Sequence, residues 1–220
     1  MIVCIAPYGV IFPVYEGWNF AYKDWPQSLK DEYSYNPEKA KQLLSEAGYP
    51  NGFKTHIIAP GDFDLELLQI VKAYFQQIGV EMEIQVETGP TINSILNQKL
   101  QPQMDYGTGG TTHPWIMLEN IASWGQNRAT HHDTNFDQLV KNFMSAQTTE
   151  EAKKWSREAD KYTLEQHWAL RLGMIKAFNI WQPYVKGYSG EILQAPTSAP
   201  SMFFWSRFWI DQNAKSALKR

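Results

Sequence analysis

The nine residues from Gly107 to Trp115 hold the densest set of groups suited to gripping a small molecule. Gly107, Gly109 and Gly110 let backbone polar groups come close to a ligand, and Thr108, Thr111 and Thr112 supply hydroxyls that donate and accept. His113 and Trp115 complete the run, on either side of Pro114. The spacing matches neither glycine pattern that cradles phosphates, so it makes a poor anion cradle. The plain alternative is a Gly-Thr connection with no role. Trp115 and, nine residues on, Trp124 offer flat apolar faces that could stack on a sugar ring, or pack as core. Arg128, in the polar run Gln126-Asn127-Arg128, has the fork that clamps a carboxylate, or is solvated loop.

Other chemistry is thinner. His131-His132-Asp133 invites a metal reading, but one histidine pair without a third ligand at set spacing reads more simply as a wet loop. Cys4 is the only cysteine, which excludes an internal disulfide and a cysteine-held zinc. No Gly-x-Ser-x-Gly, His-Glu-x-x-His or phosphate loop is present, so the chain reads as a non-enzyme that implies no cofactor. A net charge of -3 gives no basic footprint, which argues against nucleic acid. The outlier is aromatic content, 14% with nine Trp.

The elements that must position these residues follow from periodicity. Asn36 caps a helix with Pro37 at its first position and an apolar face of Ala40, Leu43, Leu44 and Ala47. Gly48 and Pro50-Asn51-Gly52 end it, and Thr55–Ala59 reads as a short strand. Asp62–Ile78 is helical, with Leu67, Val71, Tyr74, Phe75 and Ile78 on one side. Val80, Met82, Ile84 and Val86 alternate with acids and Gln85, a strand with one wet face. A short helix follows Pro90, and Met104–Thr108 is a strand that runs into the Gly-Thr loop. Phe136–Met144 is an amphipathic helix, and Thr148 with Glu151 forms a capping box for the next. Ala169–Trp181 predicts a further strand, and Pro183 begins a stretch of Pro, Gly, Ser and aromatics. Helices alternating with strands predict an α/β lobe, in which ligands sit beyond the carboxyl ends of strands.

Three runs carry a family resemblance. Tyr35-Asn36-Pro37-Glu38-Lys39-Ala40-Lys41-Gln42-Leu43-Leu44 with Ala47-Gly48-Tyr49-Pro50-Asn51-Gly52-Phe53 resembles a hallmark block of the family 5 solute-binding proteins. Tyr74–Ile84 is similar to the next block, and Trp181-Gln182-Pro183-Tyr184-Val185-Lys186-Gly187-Tyr188 to a late one. The resemblance implies a periplasmic-binding-protein type II-like lobe with a mixed sheet flanked by helices, plus a C-terminal return segment of the other lobe. It implies residues 1–35 as a leading segment from the first lobe, 36–182 as the ligand-binding lobe and 183–220 as the return. It also implies that the Gly107–Trp115 loop touches ligand.

By the same resemblance the partners are a small solute, an oligopeptide or a sugar-like molecule, and an ABC permease in the membrane. The place of action is the periplasm or the outer face of the cell membrane. Met1–Gly9 has no Lys or Arg and no long apolar run, so the expected signal peptide and an N-terminal lobe should lie upstream. Peptide-binding members often place an Asp in the loop before the Pro, where this chain has Gly110 or Thr111. That weakens a zwitterionic dipeptide as ligand, because a buried ammonium needs a countercharge. The rival readings are a carbohydrate-active enzyme with two carboxylates across a cleft, and an interaction domain without a small ligand. Phe203–Trp209, rich in aromatics, is expected to drive self-association.

Overall fold

Asn36 opens its helix as its side-chain type dictates: Oδ1 accepts the Lys39 N–H at 3.0 Å, and Pro37 occupies the first helical position. The computed structural model describes residues 7–62, 64–100, 103–107, 113–125, 131–172, 181–188 and 206–217. They fall into two compact units, Ala6–Leu172 and a second made of Met1–Ile5 with Gly173–Arg220. Along the first unit run α1 (Gln27–Glu32), α2 (Pro37–Glu46), β1 (Lys54–Pro60), α3 (Leu65–Gln77), β2 (Glu81–Glu87) and α4 (Gly89–Asn97). There follow β3 (Met104–Asp105), α5 (Pro114–Glu119), α6 (Thr134–Ser145) and α7 (Thr149–Glu165).

The sheet has the order β2–β1–β3 and is parallel throughout, with Lys54 opposite Glu81 and Ile57 opposite both Ile84 and Met104. Strand period 2 sends successive β1 side chains to opposite faces. Ile57 and Ala59 pack with Leu68 of α3 and Met82 of β2, while Ile58 packs with Ile92 and Leu96 of α4. One helix therefore covers each face at the centre of the sheet, as parallel sheets require. β2 keeps Met82 buried and leaves Glu81 and Glu83 in water. The turns into β1 and β2 meet at Gly52, whose φ is +73°; a Cβ there would collide with the Gly79 carbonyl.

α6 and α7 form an antiparallel pair beside α5. Asp133 caps α6 by accepting from Asn135 and Phe136 N–H, both at 2.9 Å. Thr148 Oγ1 accepts the Glu151 N–H at 3.2 Å, but the Glu151 carboxylate reaches the Gln147 N–H rather than that of the cap residue. The expected box is thus displaced by one residue on its return leg.

The structure departs from expectation in several places. α2 buries none of its residues, and Leu43 on its apolar face is 52% exposed. The strand expected over Met104–Thr108 is described only as Met104–Asp105, with Tyr106 N–H adding one bond to the Ile58 carbonyl at 2.9 Å. Of the strand expected over 169–181, residues 169–172 are irregular and 173–180 lie outside the described residues. Trp25 is buried with Leu29 of α1 and Leu164 of α7, inside the first unit. In the second unit β4 (Val185–Lys186) pairs antiparallel with β5 (Trp209–Ile210), followed by α8 (Gln212–Ala217). No described helix is long and apolar enough to cross a membrane.

Candidate functional site

α7 holds the segment that forms one wall of the site. Its Ser156 hydroxyl donates to the Trp18 carbonyl at 2.8 Å, and Arg157 donates to the Gly17 carbonyl at 2.6 Å. One turn on, the buried Asp160 carboxylate accepts the N–H groups of Ile11 at 2.9 Å and Phe20 at 2.8 Å. Burial pushes this carboxyl up to about 6, against the pull of the Ile11, Phe20 and Val10 N–H groups and the Arg171 charge. Gly9 passes so close that a Cβ there would fall on the carboxylate. These long-range bonds fix Trp18 in place without any regular structure in its own segment.

The other wall comes from the loop after β3. Trp18, His113, Trp115, Phe143, Met144 and Ala152 line a groove of about 320 Å³. Trp18 meets the His113 ring edge-on at 5.9 Å and the Phe143 ring at 6.0 Å. Trp115 is 39% exposed and Met144 54%, so the groove is open. His113 caps α5, with Nδ1 accepting the Trp115 N–H at 3.3 Å. The groove can hold a flat or aliphatic group by contact area, and His113 brings an imidazole to its wall.

Of the expected site residues, the structure brings His113 and Trp115 together. Gly107 is exposed just beyond β3. Thr108, Gly109, Gly110, Thr111, Thr112 and Arg128 lie outside the described residues. Trp124 is 44% exposed and takes the Lys141 ammonium over its ring at 5.4 Å; it does not line the groove. Trp18, Phe143, Met144 and Ala152 were not legible as site residues. Periodicity put Met144 on one apolar face with Phe136, Val140 and Phe143, and only the structure shows it 54% exposed.

His131 and Asp133 serve structure. The His131 ring stacks on Trp168 at 3.5 Å, and burial pushes its imidazole below its ordinary value against the pull of Asp133 and Asp137. Burial alone would raise Asp133, but hydrogen bonds from Phe136 N–H, the Tyr162 hydroxyl and Asn135 N–H hold it below the usual carboxylate range. Among the described residues no group of three His, Cys, Asp or Glu side chains is placed to hold a metal. A larger cleft of about 390 Å³ lies between α6 and α7, edged by Asn135, Gln138, Glu158, Lys161, Tyr162 and Glu165. Its rim is solvated helix surface with a Lys161–Glu165 pair at 3.6 Å, and it touches none of the loop residues.

The family described as bacterial extracellular solute-binding proteins, family 5 Middle, matches residues 11–129, more than half of the chain. The chain belongs to that family. Heme-binding protein A of Haemophilus influenzae is 28% identical over 207 residues, 81% of this chain and 36% of that protein. The chain thus spans about a third of the length of that relative. The glutathione-binding protein GsiB of Escherichia coli K12 is 35% identical over 66 residues, 29% of this chain and 11% of that protein. Among solved structures, HbpA2 from Haemophilus parasuis superposes with a TM-score of 0.57 at 26% identity, over 62% of this chain and 29% of that one. DppA from Helicobacter pylori, in complex with peptide STSA, gives 0.66 at 19% identity over 93% of this chain and 39% of that one. At that identity the likeness is one of fold, that of a periplasmic binding protein. The family and these relatives are binding proteins, not enzymes.

Proposed function

We propose that the chain is the ligand-gripping lobe of an extracellular receptor that captures a peptide-type solute for an ABC importer. The observation that carries this reading is the aromatic groove between the Trp18 segment, the start of α5 and the facing ends of α6 and α7, within a chain whose family is one of solute receptors. The groove supplies one face of a binding site, and the other lobe closes over the second face. Residues 183–220 return the chain toward that lobe. Action in the periplasm or on the outer face of the membrane, beside a permease, follows from the same reading.

The ligand class leans to peptides because the walls are apolar and two of the relatives are named for glutathione and for a bound tetrapeptide. A second reading, a sugar-like or other uncharged solute, is favoured by one observation. Between Asp105, half-buried in the sheet, and Glu119 there is no carboxylate to meet an ammonium.

Differential scanning fluorimetry with Ser-Thr-Ser-Ala, glutathione, haem and a disaccharide tests both. A solute at ten times its Kd stabilises by about 1.4 kcal/mol, a shift of roughly 3 °C for a domain of this size. A shift with the peptides is expected. A shift with the disaccharide alone favours the second reading, and no shift with any of them contradicts solute capture by this chain.

A further inference from the structure

We infer that His113 acts as a hydrogen-bond donor in the groove, so that the groove selects an apolar side chain carried next to a carbonyl or carboxylate oxygen. The inference rests on the solute-receptor reading and names what its groove accepts. Nδ1 of His113 accepts the Trp115 N–H at 3.3 Å, so Nδ1 carries a lone pair and the proton of the neutral ring is on Nε2. Among the described residues Nε2 has no hydrogen-bond partner, and the ring lines the groove.

The site therefore presents the His113 N–H beside the apolar surfaces of Trp18, Trp115, Phe143 and Met144. An acceptor oxygen set against a flat or branched hydrocarbon matches that surface, which is the pattern of a phenylalanyl or leucyl unit within a peptide. A donor placed there leaves an N–H facing an N–H. A metal chelate fits poorly at this point too. Coordination through Nε2 would force the ring proton onto Nδ1, where it would face the Trp115 N–H that now donates to it. About 320 Å³ suits one side chain with its adjoining peptide group, at the low end of ligand pockets.

Two substitutions separate the roles of the ring. His113→Asn keeps an acceptor for the α5 cap and keeps a donor, whereas His113→Asp keeps the cap and donates nothing. Titrations followed by tryptophan fluorescence would use Ala-Phe-Ala and Ala-Ala-Ala. Wild type is expected to prefer Ala-Phe-Ala by about tenfold, Trp115→Ala to lose that preference, and His113→Asp to weaken binding by about tenfold with His113→Asn near wild type. Long-range proton–nitrogen NMR on the wild-type chain should show His113 as the Nε2–H tautomer, whether or not a peptide is present. The Nδ1–H tautomer, equal affinities of the Asn and Asp variants, or no preference for Phe would overturn the inference while leaving solute capture standing. No saturable response to either peptide would overturn it together with the peptide reading.

Discussion

Asp160 supports the segment that carries Trp18, although it does not line the groove. Its carboxylate gathers backbone N–H groups from a segment without helix or strand, and so replaces the ladder that the segment lacks. Asp160→Ala is expected to destabilise the chain by about 3 kcal/mol in urea titrations, because buried donors lose their acceptor. Its carboxyl is raised to about 6, so the folded chain keeps a proton that the unfolded chain has already released above about pH 4. Stability from this group therefore falls as pH rises from about 4 to about 6 and is level above that. Two pKa units at about 1.4 kcal/mol each make the fall about 3 kcal/mol. Asp160→Asn should remove that slope from urea midpoints between pH 4 and 7; an unchanged slope would show the carboxyl titrating as it does in water. None of this was legible in the sequence, where Asp160 is one acid among several on a charged helix. Its partners Ile11 and Phe20 lie some 140 residues away.

At the scale of elements, local chemistry carried most of the fold. Asn36-Pro37, Gly48 and Gly79 each have a local physical cause that the structure realises, while the alternation from Val80 holds through Met82 and fails at Val86, which is 53% exposed near the strand end. Apolar periodicity, by contrast, says that a face exists and not what covers it. α2 has the stripe of a buried helix yet buries no residue, while α3 buries Leu68, with Leu65, Val71 and Phe75 packed beside it; the expected stripe named Leu67 and Tyr74 instead, and Tyr74 is 50% exposed. The difference between α2 and α3 sets opposite expectations for two truncations. Leu68→Ala should cost about 3 kcal/mol through the cavity left behind, and Leu43→Ala less than about 0.5 kcal/mol. Urea midpoints of the two variants check this, and a loss at Leu43 equal to that at Leu68 would mean that the α2 face is covered in solution. The groove itself was half legible. Loop composition pointed to His113 and Trp115, whereas Trp18, Phe143 and Met144 reach it only through the packing of α6 and α7.

At the scale of the molecule, the second unit exposes apolar side chains, although residues 203–205 of the Phe203–Trp209 run expected to drive association lie outside the described residues. Trp181, Trp209 and Ile210 of the second unit are 45%, 58% and 45% exposed. Exposed apolar side chains of this kind favour association, so light scattering should show a mass that rises with concentration; a monodisperse monomer across the range would contradict it. On the proposed function solute affinity should be modest, since the groove is open, with Trp115 39% and Met144 54% exposed. Backbone amide NMR during titration with Ala-Phe-Ala locates the binding face most directly. Shifts are expected to gather at Trp18, His113, Trp115, Phe143 and Met144. Shifts gathered instead at Asn135, Gln138, Lys161 and Glu165, in the cleft between α6 and α7, would contradict a solute-binding groove lined by Trp18, His113 and Trp115.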